Sequence, residues 1–257
     1  MPRTLPTLHP GLRGLVIAVG LILVWWAVTL LGIPPYMLPS PPSVAGALWS
    51  GREFLISNTA ITLGEIVLGL GFGLLLGAAL ALAMMVSATF ERWMMPVLVI
   101  SQAIPVFALA PLLVLWFGFG LTSKVVMAVL VIFFPVAASF FDGLKRTEPG
   151  WLDLARTMGA SPAAQVRHVR LMAALPAFGS GLRVAAAVAP IGAVIGEWVG
   201  AAGGLGYVML NANARMQTET CFAALFILAV LAVLIWKLVD VAVARMLYWV
   251  PAADRPA

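Results

Sequence analysis

Apolar positions in this chain run in long unbroken blocks, near residues 14–33, 60–86, 94–117, 125–141, 173–198 and 220–240, with polar residues gathered between them. Each block reaches or approaches the roughly 20 residues that a helix needs to cross a hydrocarbon core about 30 Å thick. The fourth is the shortest. Barrel strands would alternate apolar and polar residues over about ten positions, so the pattern predicts six spanning helices. Pro96, Pro105, Pro111, Pro135 and Pro190 fall inside the blocks, and kinks are expected there because proline removes a backbone donor that neighbouring helices must compensate.

Composition agrees. Of 257 residues, 63% are hydrophobic and 10% charged, against about 25% charged in soluble domains. The first block is 20 residues long, beyond the roughly 7 to 15 of a secretory signal core, and the A-x-A at Ala45–Ala47 follows only after a proline cluster. The first span is therefore expected to be retained. The net charge of +5 does not indicate nucleic acid, because the basic residues are dispersed with no aromatic-interleaved stripe. Cys221 is the single cysteine, which excludes an intrachain disulfide or cysteine zinc cluster and leaves the redox compartment open.

Basic residues orient the chain, since short loops rich in Lys and Arg remain cytoplasmic. An internal N-terminus puts Arg3, Arg13, Arg92, Lys145, Arg146, Arg156, Arg167, Arg170, Arg245 and Arg255 inside and only Arg52, Lys124 and Arg215 outside, with Arg183 and Lys237 within or near spans. Both termini are then cytoplasmic. The longest cytoplasmic loop holds a polar island, "WLDLARTMGASPAAQVRHVRL", residues 151–171.

Within the island Trp151, Leu152, Ala155 and Met158 recur at helical spacing, with Asp153, Arg156 and Thr157 toward the other side. Gly159 supplies a left-handed stop, and Ser161 followed by Pro162 supplies an N-cap and a first helical residue. Helix, sharp corner, helix is the predicted shape, the second helix carrying Arg167, His168 and Arg170 toward Pro176. Periodicity alone leaves two uses open: an interfacial helix on lipid headgroups, or a docking element for another protein.

The order of residue types in the island resembles the cytoplasmic loop motif of membrane subunits of ATP-binding-cassette importers, E-A-A, three residues, G, nine residues, I-x-L-P. Asp153, Ala155 and Gly159 fall on the acid, second alanine and glycine, and Val169 and Leu171 on the hydrophobic pair. Leu154 replaces the first alanine, and Met172 stands where proline is usual, with Pro176 four residues on. The likeness extends from about Thr59 to Asp240, notably "IPVFALAPLLVLWFGFGLTSKVVMAVLVIFFPV" and "GEWVGAAGGLGYVM". These stretches resemble the nitrate, sulfonate, taurine and pyrimidine-precursor branch of type I importer permeases. Within it, "SQAIPVFALAPLLVLW" and "GYVMLNANARMQT" are similar to permeases for hydroxymethylpyrimidine-type thiamine precursors.

That resemblance implies an all-α membrane protein with a cytoplasmic coupling helix. Residues 1–56 would be a cytoplasmic N-terminus, first span and external loop, 57–240 the permease core and 241–257 a cytoplasmic tail. The coupling helix would be Trp151, Leu152, Asp153, Ala155, Arg156, Met158 and Gly159, gripped by a separate ATPase subunit that binds ATP and Mg. Asp153 would suit the positive end of its dipole. No GxxxxGK[ST] occurs in the sequence, so nucleotide is assigned to the partner, and no enzymatic activity or cofactor of its own is expected of this chain. One chain offers about half of such a pathway, which implies a homodimer in a bacterial inner membrane, supplied by an extracytoplasmic solute-binding protein that meets loops 33–57 and 199–219. Pyrimidine precursors, aliphatic sulfonates, taurine and nitrate all remain as solutes.

Glu65 interrupts an apolar span, where a central acid costs about 2.5 to 3.5 kcal/mol; it departs from the arginine common in the family, and either a site facing protein or water or a helix-end charge reaching an interface accounts for it. Arg183 is assigned to structural pairing. Gln102, Phe107 and Trp116 offer hydrogen bonding and stacking to a planar solute, and Glu197, Trp198, Asn211 and Asn213 flank a glycine-rich turn whose backbone could line a pathway or pack helices closely. With only His9 and His168 available, no histidine metal site or catalytic triad emerges. Two rival functions stand beside the importer: an ion-coupled secondary transporter using Glu65, Glu197 and Asp240, and a purely structural membrane subunit.

Overall fold

The computed structural model describes residues 10–250. The elements are α1 (Pro10–Thr29), α2 (Pro41–Ser50), α3 (Arg52–Val86), α4 (Ala88–Ala103), α5 (Val106–Phe117), α6 (Leu121–Lys145), α7 (Pro149–Thr157), α8 (Pro162–Gln165), a π-helical turn (Val166–Arg170), α9 (Leu171–Gly200), α10 (Leu205–Ala214) and α11 (Thr218–Met246). Expectations that fall on Arg3, His9 and Arg255 lie outside the described residues.

Among the described residues four helices are long and apolar enough to cross a membrane: α3, α6, the continuous run Pro162–Gly200, and α11. The expectation of six spanning helices is corrected in two places. The block 94–117 is not one helix: α4 and α5 meet at 101°. Pro105 cannot donate to a helical carbonyl and forces the residue before it out of the α region; Ile104 accordingly has φ −80° and ψ 122°. Pro96, Pro111, Pro135, Pro176 and Pro190 lie inside helices. In α1, only Val16–Thr29 counts as a short apolar helix.

The core is a layer of three helices with α6 between α3 and α9. Gly69, Gly73 and Gly77 present a groove of bare backbone to Ala128, Ile132, Phe133 and Val136 of α6. A Cβ at Gly77 would meet the Phe133 carbonyl oxygen at 2.7 Å. From the other side, Gly181, Gly192 and Gly196 of α9 approach Pro135, Ala128 and Lys124. Small residues let membrane helices approach closely where no hydrophobic force drives them together. The matched positions run in the same order on α3 and α6 and in opposite order on α6 and α9, so α3 and α6 are parallel and α9 antiparallel to both. α11 returns antiparallel to α9, with Val243 and Leu247 over Gly179.

This topology gives the bundle two distinct ends. One carries Arg52, Leu121, Gly200 and Thr218, together with the short helices α2 and α10. The other carries Lys145, Arg146, α7, Arg167, Arg170 and Arg245. At that second end Lys145 pairs with Glu91, and Arg170 Nη1 donates to the Leu144 carbonyl at 3.1 Å, closing the C-terminus of α6.

Candidate functional site

α7 begins at Pro149, one of the residues best suited to the first helical position. Asp153 therefore lies in its second turn, not at its start, and bonds Arg156 Nη1 at 2.8 Å on the exposed face. Leu152 is the anchor, buried against the protein, whereas Trp151, Leu154 and Met158 are exposed. The expected apolar face of Trp151, Leu152, Ala155 and Met158 is thus split: one residue holds the helix down and an apolar edge is left open. That edge, with Ala155, His168, Val169, Met172, Pro176 and Trp249, lines a groove of about 520 Å³.

The corner after α7 is rigid for local reasons. Gly159 has φ +79°, Ala160 N–H donates to Ala155 O and Gly159 N–H to Arg156 O, both at 2.9 Å. This is the paired-bond helix stop that a left-handed residue makes possible. A Cβ at Gly159 would meet nothing within 4 Å, so backbone conformation and not space calls for glycine. Ser161 Oγ accepts from Ala164 N–H at 3.3 Å, and Pro162 starts the next helix. The buried Gln165 side chain reaches back to Ala160 O at 3.0 Å. α7 is therefore tied to the base of α9 through a short, hydrogen-bonded elbow.

At the opposite end the structure assembles a polar cluster. Asn58, Thr62 and Glu65 lie on one face of α3, spaced by four and three residues, and all are buried. Lys124 Nζ donates to Glu65 Oε1 at 2.8 Å. Thr62 Oγ1 donates to Glu197 Oε1 at 2.6 Å. The first N–H groups at the start of α10, which no helix turn can satisfy, are capped from other helices: Gly204 N–H by Asn58 Oδ1 at 2.7 Å, Leu205 N–H by Thr62 Oγ1 at 2.8 Å, and Gly206 N–H by Glu197 Oε2. Gly204, at φ +109°, also makes room for the Glu197 carboxyl. Beside the cluster opens a cavity of about 430 Å³ lined by Ile61, Glu65, Phe119, Lys124 and the Gly200–Gly203 turn.

Of the residues singled out in the sequence, Glu65 and Glu197 are brought together here; both Glu197 oxygens and one Glu65 oxygen accept hydrogen bonds from within the chain. The helix-end reading of Glu65 is overturned, since it sits mid-helix and fully buried. Gln102, Phe107 and Trp116 lie exposed on either side of the Pro105 break, apart from that cluster, and Trp198 is part-exposed next to Glu197. Asn211 bonds its own turn at Tyr207 O, 2.9 Å away, and Asn213 is exposed. Arg183 Nε pairs with Asp240 Oδ1 at 2.7 Å. Lys124, assigned from sequence to an external loop, is buried inside α6; Thr62, Asn58 and Gln165 were missed. The three-and-four spacing of Asn58, Thr62 and Glu65 on an apolar helix was the available signal.

A family model described as "Binding-protein-dependent transport system inner membrane component" matches residues 69–247. A "Probable ABC transporter permease protein" of Haemophilus influenzae is 52% identical over 230 residues, 89% of this chain and 94% of that one. The "Formylaminopyrimidine transport permease protein ThiX" of Halalkalibacterium halodurans is 39% identical, covering 91% of this chain and 92% of its own. Among solved structures, an inward-facing MetNI methionine ABC transporter superposes with a TM-score of 0.67 at 23% identity, over 76% of this chain and 97% of that one. A helical bundle with a hydrogen-bonded elbow at one end, a matching family model over most of its length and relatives spanning nearly the whole chain lead to one assignment: this chain belongs to the binding-protein-dependent transport system inner membrane components, the permease subunits of ABC transporters.

Proposed function

We propose that the chain works as a homodimer whose two copies enclose a solute pathway, with residues 57–240 as the permease core, and that α7 and the Gly159 elbow transmit the movements of a separate ATP-hydrolysing subunit. The observation that carries this reading is the open apolar edge of Trp151, Leu154 and Met158 on a helix fixed to the base of α9. Such an edge beside exposed Arg156 and Arg167 suits a protein groove with apolar floor and acidic rim, and the elbow makes it a lever. The basic end of the bundle then faces the cytoplasm, and the Gly200–Gly204 end faces an external solute-binding protein.

The solute we infer is a thiamine-precursor pyrimidine. Support comes from the likeness to a formylaminopyrimidine permease over nine-tenths of both chains. The test is reconstitution in vesicles with the cognate ATPase and binding protein. ATP-dependent uptake of hydroxymethylpyrimidine that taurine, sulfonate and nitrate do not compete is the expected result. Competition by those anions would overturn the solute assignment alone. Uptake that persists without the ATPase and collapses with the proton gradient would overturn the coupling itself.

A further inference from the structure

The cluster formed by Glu65, Lys124 and Glu197 has an unbalanced charge and one unused oxygen. Their exposures are 0%, 7% and 1%. Three of the four carboxylate oxygens have donors: Glu65 Oε1 from Lys124, Glu197 Oε1 from Thr62 and Glu197 Oε2 from the Gly206 N–H. The fourth, Glu65 Oε2, has none among the described residues. Thr62, which holds Glu197, lies one turn from Glu65 on α3, and Lys124 packs on Gly196 next to Glu197. The two carboxyl groups therefore share one buried cluster, joined by Thr62 on the Glu65 face of α3 and by Lys124.

Surrounding elements add no further charge. α3 contributes Glu65, α6 Lys124 and α9 Glu197, while α10 contributes backbone N–H groups. α11 meets α3 through Leu231 and Ile235 beside Ile66, and α5 packs through Ala110 and Leu113. The Asn58 amide is committed at both ends, to Phe54 O and Gly204 N–H. Two ionised carboxylates against one ammonium would leave a net negative charge on groups at most 7% exposed, which a buried site resists strongly. One proton on Glu65 Oε2 removes that charge and converts the orphan acceptor into a donor toward Glu197.

We propose that Glu65 and Glu197 are a proton-binding carboxyl pair, holding one proton between them on Glu65 Oε2, with Lys124 as the counter-charge. The proton comes from bulk water and returns to it when the cluster is hydrated. Its loss sets two negative groups against each other across the α3–α9 seam and draws Glu197 away from the start of α10. The pair is thus a tie that alkaline conditions loosen, and it stands whether or not the solute assignment does.

The experiment uses the full chain in lipid nanodiscs, comparing wild type with Glu65→Gln and with the surface control Glu53→Gln. Infrared absorption at neutral pH is expected to show a protonated carboxyl band in wild type and in Glu53→Gln, and its loss in Glu65→Gln. The glutamine amide donates where the proton did, so Glu65→Gln is expected to melt near the wild-type temperature and to stay flat as pH rises, while wild type loses stability. Absence of the band from wild type at neutral pH overturns the proposal. So does wild-type stability that rises with sodium or potassium at fixed pH and ionic strength, since a metal cation would then hold the place of the proton.

Discussion

Lys124 Nζ on α6 lies 2.8 Å from Glu65 Oε1 on α3, with side chains 9% and 0% exposed. This pair joins the two parallel helices at the end where α10 is capped. Removing Lys124 leaves the buried negative charge that Glu65 and Glu197 share without compensation, at a cost of about 3 to 5 kcal/mol. Lys124→Met is therefore expected to lower folded yield and melting temperature sharply. Adding Glu197→Gln removes the one negative charge that the shared proton leaves in the cluster and is expected to recover part of the loss, read as thermal melts of both variants in the same detergent.

Gly77 and Gly71 test the close packing of α3. A Cβ at Gly77 falls against the Phe133 backbone oxygen and Val136, at 2.7 and 2.8 Å, whereas one at Gly71 meets nothing within 4 Å. Gly77→Ala is expected to destabilise by about 1 to 3 kcal/mol, the usual cost of overpacking. Gly71→Ala is expected to be neutral or slightly favourable, because alanine is the better helix former. Equal melting temperatures for the two variants would refute the seam.

Arg183 and Asp240 make an unequal pair, with side chains 9% and 35% exposed. Asp240→Ala leaves a buried guanidinium whose Nη1 already has no partner among the described residues. Arg183→Met leaves a carboxylate that water can reach. The aspartate change is expected to be the more damaging, by about 1 kcal/mol or more given the penalty for a stranded buried charge. Chemical denaturation of both variants gives the order directly.

At the elbow, the left-handed conformation of Gly159 and its open surroundings separate two kinds of substitution. Asparagine tolerates that conformation, so Gly159→Asn is expected to keep ATP-driven uptake. Gly159→Pro removes the N–H that bonds Arg156 O and fixes φ on the wrong side, and is expected to abolish uptake with normal membrane abundance. Asp153→Lys breaks the exposed pair with Arg156 and sets two cations together. It is expected to reduce uptake without affecting melting temperature, since exposed pairs contribute about 0 to 1 kcal/mol.

Much of the elbow was legible in the sequence because its causes are local. A glycine followed by Ser-Pro states a stop and a restart, and Gly159, Ser161 and Pro162 adopt those roles. Asp153 was misplaced by half a turn because Pro149 opens the helix earlier than its apolar residues do. The cluster at the other end was barely legible. Glu65 was conspicuous as an acid in an apolar block, but its partner lies 59 positions away, and the Lys124 position read equally well as a loop cation.

Long apolar blocks and dispersed charge were sufficient by themselves to determine that this chain is a bundle of membrane helices, because lipid leaves the backbone few other ways to satisfy its own hydrogen bonds. Basic residues clustered at one end and the glycine at the elbow were determined by the same local rules. Only the tertiary structure decided that the third block breaks at Pro105 while other prolines stay in helices, and that side chains from α3 and α9 cap α10. Those outcomes depend on which helices lie side by side and in what register, a property of packed surfaces that no single stretch of chain contains.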